Sequence, residues 1–221
     1  MDITKERKAK RLAANIPDKL SANAYNLAIG LTILYGFLVN AIIVFTCGEF
    51  FASMNYLVFI VGYFVCCILG ILITASDNPF LSFVGYNLVV VPIGAVLAVC
   101  LPSYFITDIL SAIIVTGTVV AVMMIIATSF PSAFSGMGTT LFIALSVSIL
   151  AEFVATLLGY SGALFDWAFV VIFSLYIGYD WHKAQLYAKT LDNALDSALD
   201  IYLDIINLFL RILQIIGKKK R

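Results

Sequence analysis

The sequence predicts an all-α membrane protein with seven transmembrane helices, in which a polar C-terminal helix is central and the other six wrap around it. Of the 221 residues, 62% are hydrophobic and only 12% are charged, whereas about 25% of the residues in soluble proteins are charged. All lysines and arginines lie in residues 1–19 or from Lys183 onward. The long stretch between them is too apolar for a soluble or a disordered chain, so we expect it to cross a membrane several times.

Six apolar stretches have about the length that a spanning helix needs, which is roughly 20 residues for a hydrocarbon core of about 30 Å. Short connections with helix-breaking residues, such as Pro79 and Pro131, separate them. The predicted spans are Ala24–Thr46, Tyr56–Thr74, Phe80–Leu101, Ile109–Thr128, Thr139–Leu158 and Leu164–Tyr179. Glycines inside the spans predict close approach between helices. They are Gly30, Gly62, Gly70, Gly94 and Gly117.

A seventh segment, Ala198–Ile216, is long enough to span a membrane but contains charged and polar side chains. A charge at the centre of a bilayer costs roughly 2.5–3.5 kcal/mol on insertion scales. The segment must therefore lie among other helices, line a wet cavity, or enter and leave the membrane on one side. A central helix shielded by the other six fits this chemistry best. The residues concerned are Asp200, Asp204, Asn207, Arg211 and Gln214.

The distribution of basic residues predicts the orientation, because lysines and arginines near the spans favour the cytoplasmic side. Six precede the first span, namely Lys5, Arg7, Lys8, Lys10, Arg11 and Lys19. Six spans return the chain to the same side at Lys183 and Lys189, which agrees. The tail Lys218–Arg221 agrees only if the seventh segment does not cross fully, so re-entry and a full crossing both stay open. The predicted parts are a cytoplasmic segment of residues 1–23, one transmembrane domain of residues 24–216 and a basic tail of residues 217–221.

Four aspartates of the C-terminal segment are spaced four residues apart, which places them on one slowly drifting face of a helix. Like charges at this spacing repel each other unless a cation, a proton or water compensates them. Asp192 and Asp196 precede the apolar run, and a solvated acidic face of an interfacial helix is the favoured interpretation there. Asp200 and Asp204 lie inside the run, where a carboxylate is a functional candidate. Asp196 and Asp200 are possible parts of a cation pathway.

Asp180 ends the sixth predicted span, where it is either a solvated helix-end carboxylate or a partner of Asp204. Two carboxylates at hydrogen-bond distance would share a proton and titrate as a coupled pair. Such a pair would act as a proton-operated latch, and its oxygens would suit Ca²⁺ when the latch opens. The possible neighbours of this pair are His182, Asn207 and Arg211.

Glu152 lies in the middle of the fifth predicted span, where a carboxylate needs a partner or a proton. One interpretation gives it a role in the cation pathway or in a polar packing network. The alternative is a protonated side chain, or one that reaches toward the membrane surface.

Two motifs near the C-terminus resemble the signature of the Bax inhibitor-1 family. They are F-S-L-Y-I-x-Y-D, which ends at Asp180, and I-Y-L-D-x-I-N-L-F, which begins at Ile201 and contains Asp204. The resemblance implies seven transmembrane helices with the last one central. It also implies that Asp180 and Asp204 are the family's pH-sensing pair. Members of this family are described as pH-sensitive calcium leak channels and, in eukaryotes, as suppressors of cell death.

The chain departs from this family at the junction between the second and third spans. Members commonly carry an arginine there that pairs with the two aspartates, whereas residues 74–79 of this chain read T-A-S-D-N-P. Arg211 is too far along the last helix to be an obvious substitute. We therefore expect the aspartate pair to rely on a proton or on Ca²⁺ as its counter-charge.

Enzyme classes are disfavoured because the chain has no G-x-S-x-G, H-E-x-x-H or phosphate-loop motif and only one histidine. We therefore expect no enzyme activity, no catalytic residue and no resident cofactor, with Ca²⁺ as a permeant ion or as a ligand of Asp180 and Asp204. The favoured function is a pH-sensitive calcium leak channel. The alternative is a non-conducting membrane interaction protein that modulates stress response or membrane protein quality control.

The expected partners are the lipid bilayer, Ca²⁺ and protons, without nucleic acid, and protein partners stay open. The expected location is a bacterial plasma membrane, crossed several times with the N-terminus cytoplasmic.

Overall fold

The computed structural model describes residues 11, 12, 19–160, 162–218 and 220. Helices make up 86% of the described residues, which contain no strand, so the prediction of an all-α protein is confirmed. Most of the predicted basic segment of residues 1–23, including Lys5, Arg7, Lys8 and Lys10, lies outside the described residues, as do Lys219 and Arg221.

The chain divides into two compact units. One consists of Met1–Pro102 with Leu186–Asp200, and the other of Ser103–Gln185 with Ile201–Arg221.

Three long helices of the first unit begin at side chains that cap them. Ser21 accepts a hydrogen bond from the Ala24 amide at 3.2 Å, and Asn55 and Asn78 cap the two later long helices in the same way. Pro79 follows Asn78 as the first helical residue, a position where its missing N–H costs nothing. The helices are α1 (Ala22–Thr46), α2 (Gly48–Ala52), α3 (Tyr56–Thr74) and α4 (Pro79–Cys100). The first three predicted spans are thus confirmed as helices to within two residues.

Helices α3 and α4 approach each other closely at glycines. A Cβ added at Gly70 would lie 2.8 Å from the Gly85 carbonyl oxygen, and one added at Gly94 would lie 2.9 Å from the Asn40 Oδ1 atom on α1. The prediction of close contacts is therefore confirmed at Gly70 and Gly94. It is wrong at Gly30, Gly62 and Gly117, where an added Cβ would meet no described atom within 4 Å.

The second unit contains the next four helices, which are α5 (Ile106–Ser129), α6 (Pro131–Phe134), α7 (Gly138–Leu157) and α8 (Ala163–Leu186). The fourth and fifth predicted spans are confirmed as α5 and α7. The sixth predicted span was too short, because α8 continues from Tyr179 to Leu186. Asp180 therefore lies inside the helix, and its interpretation as a solvated helix-end carboxylate is wrong, since the side chain is buried.

The C-terminal helix, α9, extends over Leu191–Ile216 and begins seven residues before the predicted segment. Its residues up to Asp200 belong to the first unit and those from Ile201 to the second. The prediction that the four aspartates share one continuous helix is confirmed. Most side chains from Asn193 to Leu213 are buried, and they cover more than one face of the helix.

Within the described ranges, six helices are long and apolar enough to cross a membrane, namely α1, α3, α4, α5, α7 and α8. They expose many large apolar side chains, such as Phe45 at 84% and Leu164 at 79%. Soluble monomers rarely expose apolar surface on this scale, whereas lipid accepts it. The protein is an integral membrane protein with several spans.

Candidate functional site

Asp180 is held in place by the packing of its own turn of α8. The Gly178 position faces the ring of Phe134 on α6 so closely that a Cβ would collide with it. The Trp181 indole N–H donates to the Thr128 hydroxyl, at the end of α5, at 2.9 Å. These contacts on both sides of Asp180 fix the helical turn from which its carboxylate projects.

Lys183 supplies a counter-charge to Asp180 one helical turn later. Its Nζ atom donates to Oδ1 of Asp180 at 2.6 Å, and both side chains are largely shielded from water. The ammonium also lies 5.6 Å from the centre of the Tyr179 ring. The expectation that only a proton or Ca²⁺ would balance the aspartate pair is therefore wrong, because a lysine on the same helix already does so in part.

Asp204 lies on α9 with 8% of its surface exposed. The Tyr176 hydroxyl, one turn before Asp180, lies within electrostatic range of Asp204, Asp180 and Lys183. The second unit therefore brings the two predicted aspartates into the neighbourhood of one phenol. We refer to Asp180, Asp204, Lys183 and Tyr176 as the dyad site.

Two other residues predicted as neighbours of the aspartate pair lie on the helices that contain the two aspartates. His182 is half-buried on α8, two residues after Asp180. Asn207 is half-buried on α9 and donates to the Leu203 carbonyl at 2.8 Å, a bond within its own helix. Asp200, which was predicted as a possible part of the cation pathway and not as a neighbour of the pair, is half-buried on the turn of α9 before Asp204.

The aspartates at the start of α9 have polar partners in the first unit. Asp196 is 3% exposed and forms an ion pair with Arg11. Asp192 accepts a hydrogen bond from the Ser82 hydroxyl on α4 at 2.6 Å. The expected solvated acidic face is therefore wrong for Asp196, because an arginine and not water meets the carboxylate.

The phenol of Tyr25 contacts the turn of α9 that contains Asp196. The Tyr25 hydroxyl is 3.2 Å from the Ser197 hydroxyl and donates to the Asn193 carbonyl at 3.3 Å. The Lys189 ammonium lies 4.5 Å from the centre of the Tyr25 ring. Partial burial in this position lowers the pKa of Lys189.

Arg211 joins three helices through two carboxylates. Its guanidinium makes a bidentate pair with Glu152 on α7, at 2.6 Å and 2.8 Å, and a further hydrogen bond of 2.9 Å to Asp166 on α8. It also lies 4.0 Å from the centre of the Phe169 ring. Glu152 thus has the partner that its place in a span requires, and we refer to Arg211, Glu152 and Asp166 as the Arg211 cluster.

The pairing of Arg211 with Glu152 and Asp166 is not among the features predicted from the sequence. A signal for it is present in the sequence, because Arg211 is a basic residue inside an apolar helical segment and therefore needs a carboxylate from another helix. Glu152 and Asp166 lie 59 and 45 residues before Arg211 in sequence. Their contact with Arg211 therefore depends on how the helices pack.

The comparison with protein families agrees with the resemblance in the two motifs. The family model described as "Inhibitor of apoptosis-promoting Bax1" matches residues 19–221. The chain belongs to the Bax inhibitor-1 family. The match includes all six candidate spans as well as α9, so the resemblance extends far beyond the C-terminal motifs. A comparison with curated proteins finds no match.

In this Bax inhibitor-1 family protein, the α3–α4 junction lies beside Asp192. The Ser82 hydroxyl that donates to Asp192 is 3.4 Å from the Thr74 carbonyl and 3.3 Å from the Ser76 carbonyl. The α3–α4 junction, which has no arginine, therefore contacts the first turn of α9 through the hydrogen bond of Ser82 to Asp192.

The described part of this Bax inhibitor-1 family chain contains no group of three or more His, Cys, Asp or Glu side chains placed to hold a metal. A resident Ca²⁺ ion takes six to eight oxygen ligands.

Proposed function

We propose that this protein is a pH-sensitive calcium leak channel of a bacterial plasma membrane, gated by Asp180 and Asp204. The observation that supports it most is the dyad site, where the second unit of a member of the Bax inhibitor-1 family holds two buried carboxylates near one phenol. The proposal involves no catalysis and no resident cofactor.

The charges of the dyad site give the gate its mechanism. Two ionised carboxylates carry two negative charges, and Lys183 offers one positive charge through its contact with Asp180. One negative charge is left, and a shared proton or an entering cation can neutralise it. The proton holds the pair together, and its loss drives the carboxylates apart unless a cation enters. Low pH therefore favours the closed form.

The proposed topology has seven crossings, with α9 central. The 26 residues of α9 extend over about 39 Å, which exceeds the hydrocarbon thickness of about 30 Å. At its start, Asp192 contacts Ser82 in the first turn of α4, and just after its end the Lys218 amide donates to Asp108 in the first turn of α5. Helices α4 and α5 are consecutive spans, so in the proposed topology their first turns lie on opposite sides of the membrane. Because the start of α9 contacts one and the end of α9 contacts the other, these contacts support a full crossing. The burial of α9 on several faces supports its central place.

The proposed cation pathway follows the acidic side chains of α9. Asp196 and Asp200 lead from the start of the helix to Asp204, and Glu152 lies toward its other end in the Arg211 cluster. With the N-terminus cytoplasmic, as the basic residues indicate, Asp196 is the first of these carboxylates on the cytoplasmic side.

A second candidate is a non-conducting membrane protein that modulates stress response or quality control by interaction. The observation that favours it is the pairing of acids with arginines, Asp196 with Arg11 and Glu152 with Arg211, which a rigid scaffold would also use.

Calcium flux into liposomes that contain the purified protein and a trapped dye distinguishes the two candidates. The channel proposal predicts a flux that falls as pH falls and that depends less on pH in Asp204→Asn. Glu49→Gln is a matched control, because Glu49 is an exposed acid on the short helix α2. If the wild-type protein gives no flux at any pH under a calcium gradient, the interaction protein is the remaining candidate.

A further inference from the structure

We propose that Phe134 is a positioning residue of the dyad site, a backstop behind α8 that keeps Asp180 within reach of Asp204. It belongs to the short helix α6, in the segment that connects α5 to α7. That the spacing of the two aspartates gates calcium rests on the proposed function, whereas the contact of the Phe134 ring with α8 is a feature of the structure. All the residues involved belong to the second unit.

The first argument is that the Phe134 ring packs against α8 where that helix has no side chain. A Cβ added at Gly178 would lie 2.7 Å from the Cζ atom of the ring and 3.1 Å from its Cδ1 atom, so only glycine lets the ring come this close. Phe134 is 3% exposed, whereas its neighbours Ala133 and Ser135 are exposed. The connecting segment therefore places one large side chain directly against the backbone of α8.

The second argument is that two further contacts join the same turn of α8 to this segment. A Cβ added at Gly138, the first residue of α7, would lie 2.8 Å from the Cζ atom of Tyr179. The Trp181 indole N–H donates to the Thr128 hydroxyl, near the end of α5, at 2.9 Å. The segment thus contacts three of the four residues 178–181, so the position of this turn depends on it.

The third argument is the face of α8 against which the ring lies. Tyr176, Asp180 and Lys183 are four and three residues apart, which places them on one face, the face of the dyad site. Asp204 lies within electrostatic range of Tyr176 on that face. Gly178 is two residues from Asp180 and therefore points about 160° away from it around the helix. The ring lies behind α8, opposite to the side on which the carboxylate projects.

The charges of the dyad site show what a backstop would resist. Two carboxylates repel each other, and the contact of Lys183 with Asp180 compensates for one negative charge only. The titratable groups nearby are the Tyr176 phenol and, two residues after Asp180 on α8, His182. Repulsion between Asp180 and Asp204 pushes α8 away from α9, which is the direction that the ring obstructs. The backstop therefore limits how far the two aspartates can separate.

The test measures how readily positions 180 and 204 meet when their carboxylates are absent. Asp180→Cys and Asp204→Cys are introduced together into a chain whose four native cysteines are replaced by serine, and copper–phenanthroline oxidises the pair to a disulfide. We expect Phe134→Ala to slow this cross-linking roughly tenfold, because a reaction between two held groups depends steeply on their placement. Phe134→Leu keeps a large side chain and should slow it less. Phe130→Ala is the matched control, because Phe130 lies in the same segment but is 64% exposed, and it should leave the rate unchanged.

A general loss of stability is separated from the loss of the backstop by Gly85→Ala. This variant disturbs the contact between α3 and α4 in the first unit and should leave the cross-linking rate unchanged. The proposal is overturned if Phe134→Ala cross-links as fast as Phe130→Ala, if Gly85→Ala slows the reaction equally, or if the chain that keeps Phe134 does not cross-link. Should Phe134→Ala fail to fold, Phe134→Leu takes its place, and a rate equal to that of Phe130→Ala overturns the proposal.

Calcium flux in liposomes connects the backstop to the proposed gate. In the chain that keeps both aspartates, Phe134→Ala should increase the flux at acidic pH, because the pair is then held together less firmly, and Phe130→Ala should not. Slower cross-linking in Phe134→Ala without flux in any protein would uphold the backstop and reject the channel. A pH-dependent wild-type flux, with equal cross-linking in the two alanine variants, would reject the backstop alone.

Discussion

At the scale of single residues, Lys183 changes how the dyad site is charged. Its contact with Asp180 is an i, i+3 pair on one helix, which is a spacing that brings side chains together on a helix surface. The sequence contains this spacing, but the pair could be recognised only once α8 was known to continue past Tyr179. The dyad site therefore contains a fixed cation on the same helix as Asp180.

We predict that Lys183→Gln moves the midpoint of the flux–pH curve to higher pH by roughly one unit, the smaller end of the effect of a neighbouring charge. Without the ammonium, the negative charge of the pair is less compensated, and the shared proton is held more firmly. The measurement is calcium flux in liposomes between acid and neutral pH. Lys183→Arg keeps the charge and should leave the midpoint near that of the wild-type protein. An equal shift in both variants would contradict the role of the charge.

Contacts between residues far apart in sequence could not be predicted. Asp180 and Asp204 were identified because they belong to two recognisable motifs, and Glu152 was identified because a carboxylate in a span needs a partner. The partner itself, Arg211, depends on the rotation of α7 and α9 about their axes, which the apolar pattern of α7 does not define. The Arg11–Asp196 pair likewise depends on where the chain before α1 lies.

At the scale of elements, the six spans were predictable because an apolar run of about 20 residues has few alternatives to a membrane helix. Their ends agree with Asn and Ser caps and with Pro79, which are local signals. The start of α9 was not predictable from apolarity, since its first two turns contain four polar residues, three of which are buried, namely Asn193, Asp196 and Ser197.

The Arg211 cluster ties α7, α8 and α9 together, and we predict that Arg211→Gln lowers the free energy of unfolding by about 2–3 kcal/mol. This is less than the cost of breaking a fully buried pair, because the side chains of the cluster retain some exposure. Thermal unfolding of the detergent-solubilised protein measures the change. Gln214→Ala, at an exposed position three residues later on α9, is the control and should have little effect. Equal stability of the two variants would show that the cluster contributes nothing.

The contact between α3 and α4 gives a prediction about backbone packing. A Cβ at Gly85 would collide with the backbone of Thr74 and Gly70, which cannot rotate away, so Gly85→Ala should lower the free energy of unfolding by about 1–3 kcal/mol. Gly62→Ala is the matched control on α3, because its Cβ would meet no described atom within 4 Å. That variant should be neutral or should stabilise the helix by up to about 1 kcal/mol. The prediction fails if both alanine variants melt at the same temperature.

At the scale of the whole molecule, the sequence predicted the class of the protein and its family, but it left the path of α9 open. The basic tail favoured a return to the cytoplasmic side, whereas the length of the helix favoured a crossing. The positive-inside preference acts on the chain as a whole, so earlier spans can outweigh a short basic tail. The contact of the Lys218 amide with Asp108 is a tertiary feature that the charge pattern does not contain.

We therefore predict that the N-terminus and the C-terminus lie on opposite sides of the membrane. Single cysteines at Lys19 and Lys218, both exposed, can be labelled with an impermeant thiol reagent in sealed vesicles after the native cysteines are replaced. One of the two should react only after the vesicles are opened. Labelling of both from the same side would establish a re-entrant α9 and would contradict the seven-crossing topology.

The central claim is that Asp180 and Asp204 act as one titrating unit, and a double-mutant comparison of flux against pH tests it most directly. The four proteins are the wild type, Asp180→Asn, Asp204→Asn and the double variant. Residues that share a proton are coupled, so each single variant should lose about as much of the pH dependence as the double variant does. Effects of the two single variants that add up in the double variant, or a wild-type pH dependence that persists in all three, would contradict a shared proton as the gate.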